Sequence, residues 1–118
     1  MTKRAAAANQ MSEQDLLKQI TDWLTLYRYF WYRNNVGAMS KENPDGKYRF
    51  IKFGRNGAPD LIVVDEGLFV GIEVKLNGKE QSRVQYQFQC DVERAGGRYI
   101  IAHSLEDVLH AFNRKPTV

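Results

Sequence analysis

Two carboxylates and an ammonium, on Asp60, Glu73 and Lys75, converge once the segment between them is folded. The stretches 59–65 and 68–76 are rich in Val, Ile, Leu and Phe, and Glu66-Gly67 lies between them, the pattern of a β-hairpin with a two-residue turn. Such a turn sets the register: Val64 faces Phe69, Ile62 faces Gly71, and Asp60 faces Glu73. Strand side chains alternate, so Asp60 shares a face with Gly71, Glu73 and Lys75. Leu61, Val63, Val70, Ile72 and Val74 make the opposite face, all apolar and expected to pack on a helix. Directly opposed residues hold their Cβ atoms ~4.5–5.5 Å apart. Two carboxylates that close repel unless positive charge lies between them. A hard divalent cation such as Mg²⁺ relieves that repulsion, because it takes oxygen ligands. A three-residue loop would shift this register.

Lys75 sets an ammonium beside the pair, able to hold or deprotonate an attacking water or to neutralise charge developing on a phosphorane. A metal in such a place polarises a phosphoryl oxygen and acidifies water. Gly71 is expected to leave open space for an approaching backbone. Taken alone, Glu-x-Lys is what a solvated strand face commonly carries, with Asp60 a turn residue after Pro59, and that plain reading is the better one for the triplet by itself. The combination is more specific: Pro-Asp opens an apolar strand, a short turn follows, and Glu-x-Lys closes the second strand on the matching face.

Other elements must position that hairpin. Ser12 with Asp15 is a capping-box start for a helix from about Glu13 to near Tyr29, whose apolar residues Leu16, Leu17, Ile20, Trp23, Leu24, Tyr27 and Phe30 recur at steps of three and four. A short strand is expected around 31–36, broken by Gly37. Residues 40–47, with Pro44, Asp45 and Gly46, read as a turn or mobile loop, and 47–53 as a strand. Ser82 with Gln85 opens a helix to about Ala95 with a core stripe of Val84, Phe88 and Val92. Gly96-Gly97 ends it, 98–103 is a buried strand, and Ser104 caps a last helix ending near Phe112. The order is helix, strands, helix, strand, helix.

The 118 residues suit one domain, and an apolar share of 43% argues against disorder except at the ends. Residues 1–11 read as a flexible tail, and 12–118 as the domain. A net charge of +3 permits a polyanionic partner without requiring one. The single cysteine, Cys90, excludes an internal disulfide framework and a Cys-rich zinc site, and fits a cytoplasmic location. No run approaches the ~18–20 apolar residues of a membrane span. No phosphate-cradling glycine pattern is present. His103 and His110 lack the partners of a histidine-based site, and Cys90 has no nearby His to make it a nucleophile. Basic and aromatic residues interleave at 27–33 and 47–55. Either the aromatics are core and the charges solvated, or the stretches line a nucleic-acid groove. On the second reading Arg49, Lys52 and Arg55 lead as phosphate contacts, followed by Arg33 and Asn35.

At these residues the chain resembles a known family. G-x-PD at 57–60 and GIEVK at 71–75 are similar to the motifs of the PD-(D/E)xK nucleases, and more closely of the stand-alone VRR-NUC domain. The resemblance runs over about 12–110. It includes Glu13 at the start of the first helix, NNVGAM at 34–39, S-x-x-Q at 82–85 and the GG turn leading into RYIIAH. It implies metal ligation by Asp60 and Glu73, aided by Glu13 and the Val74 carbonyl, a catalytic Lys75, and Gln85 near the site. Glu13 and Gln85 have plain readings too, since the helix dipole favours an acid in a first turn and Gln85 fits a cap.

The expected fold is α/β, a restriction-endonuclease-like core with a central mixed sheet of four or five strands flanked by helices. The expected function is Mg²⁺- or Mn²⁺-dependent hydrolysis of DNA phosphodiesters, with no small-molecule cofactor and no membrane. A homodimer presenting two sites is plausible for so small a domain, and the resemblance implies branched, junction or flap DNA. Two alternatives stay open: a non-catalytic DNA-binding or assembly module on the same fold, and an RNA-directed nuclease with the same site.

Overall fold

The computed structural model describes residues 11–35 and 37–112, so the expected tail, apart from Met11, lies outside the described residues. Helix α1 (Glu13–Leu26) begins at Ser12, whose side chain accepts from the Asp15 N–H while Asp15 accepts from the Ser12 N–H. It ends short of the expected Tyr29. Arg28 adopts φ 61°, Tyr29 N–H donates to the Leu24 carbonyl (2.9 Å) and Arg28 N–H to that of Thr25 (3.1 Å). This is a Schellman closure with arginine in the left-handed position. It turns Tyr29 back onto Trp23, ring centroids 5.4 Å apart, instead of extending the helix.

Strand β1 (Phe30–Arg33) follows, then β2 (Gly37–Glu42) and β3 (Tyr48–Phe53), β4 (Leu61–Asp65), β5 (Leu68–Val74), helix α2 (Arg83–Arg94), strand β6 (Arg98–Ala102) and helix α3 (Leu105–Ala111). Four strands form one mixed sheet in the order β1-β4-β5-β6. Its pairs are antiparallel except β5 with β6, which run parallel with α2 as their crossover. Strands β2 and β3 pair only with each other. The molecule is thus α/β, with a mixed sheet and three helices among the described residues. Residues 40–42, expected as loop, are strand, and Gly37 opens β2 rather than ending β1. Only 43–47 turns, closed by Asn43 N–H to the Lys47 carbonyl (2.7 Å) and Lys47 N–H to Asp45 Oδ1 (2.9 Å).

The β4–β5 register is the expected one, with Val64 opposite Phe69 and Ile62 opposite Gly71. Glu66 and Gly67 have φ 52° and 83°, as a two-residue turn matched to strand twist requires. Glu66 carries a Cβ where it is strained. Glu66→Asn is therefore expected to raise stability by about 0.5–1 kcal/mol, and an unchanged denaturant midpoint would contradict it.

One face of the sheet is the core. Leu61, Val63, Val70, Ile72, Val74, Ile100 and Ala102 meet Leu16, Ile20, Trp23 and Leu24 of α1 and Val108, Leu109 and Phe112 at α3. Each full burial of such a side chain contributes roughly 1.5–3 kcal/mol. Helix α2 lies over the other face and buries no residue completely. Val84, expected in its core stripe, is 51% exposed. Phe88 and Val92 do face inward, against Tyr99 and Gly97. The face beneath α2 carries Phe69, Gly71 and Tyr99 along with Glu73, and its Glu73 end holds the candidate site.

Candidate active site

Hairpin alternation carries Asp60 and Glu73 to the α2 side of the sheet. The β4–β5 ladder ends at Leu61 opposite Ile72, so Asp60 is not a paired strand residue. Pro59 before it has no N–H to give a ladder. Instead Asp60 Oδ2 accepts the Val74 N–H at 2.7 Å, taking the place of a backbone acceptor and clamping the carboxylate to the end of β5. Its backbone is held from the other side. Asn34 N–H donates to the Asp60 carbonyl (2.8 Å) and Asn34 Nδ2 to that of Pro59 (3.2 Å).

Glu73 is 4% exposed and is the one charged side chain among the buried residues described. Both its oxygens are held: Gln85 Nε2 donates to Oε1 at 2.7 Å, and the Tyr99 hydroxyl to Oε2 at 3.4 Å. Gln85 does two jobs at once. Its Oε1 accepts the Ser82 N–H (2.8 Å), closing the capping box of α2, while its amide nitrogen reaches Glu73. The cap and the site reading of Gln85 are therefore one geometry, and it acts as a positioning residue.

Burial, and after it the charge of Asp60, pushes the Glu73 carboxyl up to about 7; Lys75 and the Tyr99 hydroxyl oppose the rise. Asp60 is raised as well, by burial first, against the stabilising Val74 N–H; Glu13 raises it further, and Lys75 and Arg33 lower it. Tyr99 is raised by burial and by the neighbouring Glu73 charge. Two carboxyls held above their ordinary range, within the field of a half-buried lysine, make a site whose ionisation an added cation would favour. The backbone of Lys75 is fixed from both sides: its N–H donates to the Ala102 carbonyl (3.0 Å), and His103 Nδ1 lies 2.9 Å from its carbonyl oxygen.

The other expected site residues divide. Glu13 feeds the same field as Asp60 and Glu73, yet its carboxylate pairs with Lys79 Nζ at 3.5 Å. Among the described residues no three His, Cys, Asp or Glu side chains form a metal-holding group. What the structure shows of Val74 is its N–H on Asp60. Arg33 is exposed at the end of β1, within electrostatic reach of Asp60, and Asn35 is exposed next to the Asn34 that holds the Asp60 backbone. Arg49 and Lys52 are exposed on β3. Arg55 is not a free cation: it binds Asp91 at 2.5 Å and lies over the Phe88 ring, so it ties the chain before Gly57 to α2. Gly71 is not open space either. A Cβ there would stand 2.7 Å from Pro59 Cγ, so the glycine admits the proline that precedes Asp60.

Sequence reasoning missed Asn34 and Tyr99. Asn34 lies within the NNVGAM stretch, beside the expected nucleic-acid contact Asn35, and that stretch was the one signal for it. Tyr99 joins only because β6 pairs in parallel with β5, placing Tyr99 opposite Gly71. Set against known proteins, the chain matches no family model, no curated protein and no solved structure. Within the described residues, no helix is long and apolar enough to cross a membrane.

Proposed function

We propose that the chain is a divalent-metal-dependent nuclease that hydrolyses DNA phosphodiesters, on a restriction-endonuclease-like core. One observation carries the reading: Glu73 is buried, its carboxyl raised by that burial and by the charge of the clamped Asp60, and the Lys75 ammonium acts on both acids. Hard oxygen donors in that state fit Mg²⁺ or Mn²⁺. Asp60 and Glu73 would hold the ion, which when bound supplies polarisation of a phosphoryl oxygen and acidification of water. The protein's own part is positional. Val74 N–H and Asn34 fix Asp60, Gln85 and Tyr99 fix both oxygens of Glu73, and Lys75 offers an ammonium to a water or to charge building on phosphorus. Branched or flap-like DNA as preferred substrate rests on the VRR-NUC resemblance alone, and a homodimer as the working form on the limited surface so small a domain offers to duplex DNA.

The test is cleavage of labelled four-way-junction, flap, linear duplex and single-stranded DNA, and of matched RNA, with Mg²⁺, Mn²⁺ or EDTA. Wild type is expected to cut DNA only with metal. Lys75→Ala is expected to lose on the order of 10²–10⁴-fold in rate. Metal-independent binding without cutting would replace the proposal by the binding-module reading.

A further inference from the structure

The described residues of the β2–β3 hairpin add nothing to the buried core. Neither strand packs against another element. Every described side chain on the two strands is exposed except Ile51, which is half-buried. An isolated two-stranded hairpin is marginal in water, and this one displays Tyr48 at 70% and Phe50 at 68% exposure. Its surface is thus built to be covered.

The register sorts its side chains. Lys41 lies directly opposite Arg49, and Met39 opposite Ile51, on one face. Ser40 opposite Phe50, Glu42 opposite Tyr48, and Ala38 opposite Lys52 share the other. Like charges directly opposed across a strand pair destabilise it unless an anion lies over them. Segment 37–53 carries four cations (Lys41, Lys47, Arg49, Lys52) and two acids (Glu42, Asp45), a surplus of two cations. A second copy docking through the Lys41–Arg49 face would bring cations onto cations, so charge favours a polyanion. The opposite face adds a feature phosphate alone does not need. Tyr48 and Phe50, two residues apart on one strand, are spaced by roughly 7 Å, two base-stacking steps of ~3.4 Å, which leaves room for one base between the rings.

One foot of the hairpin stands at the candidate site, and the other is tied to α2. Before β2, Asn34 holds the Pro59 and Asp60 carbonyls. After β3, Arg55 is tied to Asp91 and Phe88 of α2. We infer that the β2–β3 hairpin is an arm that grips nucleic acid carrying unpaired bases, with Lys41 and Arg49 on phosphates and Tyr48 and Phe50 stacking on bases. It deepens the nuclease reading, on which it rests only for what the arm delivers to Asp60 and Glu73.

Binding by the full chain, measured by fluorescence anisotropy in EDTA, tests the arm without any cleavage. The probes are an oligo-dT strand, a fully paired duplex and a duplex with an unpaired tail. Lys41→Ala with Arg49→Ala is expected to weaken all three about tenfold at ~0.1 M salt and to lower the salt slope by about 2. Tyr48→Ala with Phe50→Ala is expected to lose about tenfold or more on the strand and the tailed duplex, and little on the paired one. Both double variants should keep the wild-type melting temperature, since no other element rests on the hairpin. Wild-type affinity in both, or equal loss by the aromatic variant on paired and unpaired probes, overturns the proposal. So does loss of a dimer by light scattering with DNA affinity intact, which would make the hairpin a self-association surface. Hairpin-dependent binding by a protein that cuts nothing would sink the nuclease reading and leave the arm standing; cutting with hairpin-independent binding would do the reverse.

Discussion

Glu73→Gln is expected to remove roughly a thousandfold in metal-dependent cleavage while making the metal-free protein more stable above neutral pH. The first effect follows from losing one of two anionic donors, since a bound metal's charge stabilisation is worth several kcal/mol and ~1.4 kcal/mol is tenfold in rate. The second follows from the sign of the pKa shift. The Glu73 carboxyl ionises at about 7 in the fold against 4.5 for the ordinary group. Below pH 4.5 both folded and unfolded chains hold the proton, and the group has no effect on stability. Between 4.5 and about 7 the unfolded chain gives up its proton while the fold keeps it, so stability falls as pH rises. Above about 7 the loss levels off, on the order of 2 kcal/mol once access of water to the site is allowed for. Asp60, raised in the same direction, adds to it.

Gln85 offers its Nε2 to Glu73, and Tyr99 its hydroxyl. The neutral amide that Glu73→Gln introduces can accept either through its oxygen but holds no charge, so the pH-dependent loss should shrink to the part that Asp60 contributes. Denaturant melts from about pH 4 to about pH 8 read this directly. Mg²⁺ should raise the melting temperature of wild type at about pH 8 and hardly at about pH 5, where the carboxyl it needs is protonated. A Glu73→Gln protein less stable than wild type at the alkaline end would mean that the ionised carboxylate is a structural asset, contrary to the reading of the site. The expected pairing of gain in stability with loss of activity is the mark of a residue kept for chemistry.

Gly57→Ala is expected to destabilise the protein by about 2–4 kcal/mol and to weaken cleavage with it. Gly57 has φ 82°, a left-handed conformation in which a Cβ is strained. A Cβ would also stand 2.4 Å from the Val84 carbonyl oxygen and 2.9 Å from its Cγ1. These are backbone and branched side-chain atoms in the first turn of α2, which cannot swing aside. The helix must lift, and Gln85, one residue further along, lifts with it away from Glu73. The measurements are a denaturant midpoint, for the stability, and the pH profile of stability. If α2 moves and the Gln85 bond is lost, that profile should change shape as well as height. A Gly57→Ala protein of wild-type stability would show that the first turn of α2 does not rest on this glycine.

The two glycines of the motif stretches show where sequence reading stops. Gly57 and Gly71 stand out as parts of G-x-PD and GIEVK, and Gly71 reads as open space. In the fold each is a contact surface: Gly57 lies under α2, and Gly71 under Pro59. Arg55 shows the same limit. Its place before the Asp60 motif makes it a phosphate candidate, but Asp91 lies 36 positions along the chain and meets it only when α2 crosses the sheet. The exposed side of α2 is another case. Val84 fits a helical stripe by spacing, yet helix α2 packs on the sheet through Phe88 and Val92, leaves Val84 exposed and buries nothing completely.

The local rules alone determined a good deal. Capping boxes at Ser12 and Ser82, the cap at Ser104, and the turn at Glu66-Gly67 each depend on atoms within a few residues, and each formed as expected. The turn in turn fixed the β4–β5 register as far as Leu61 opposite Ile72, and the Val74 N–H, not a ladder partner, holds Asp60 just beyond it. The helix after Ser12 ended early because a left-handed Arg28 turned Tyr29 onto Trp23, a packing choice that propensity does not contain. Tertiary structure decided what holds the carboxylates. Asn34 reaches Asp60 from just past β1, Gln85 reaches Glu73 from α2, and Tyr99 reaches it from a strand made parallel by a crossover. Those contacts join residues 12 to 26 positions apart. Their geometry follows from how strands and helices stack, which periodicity along the chain does not encode.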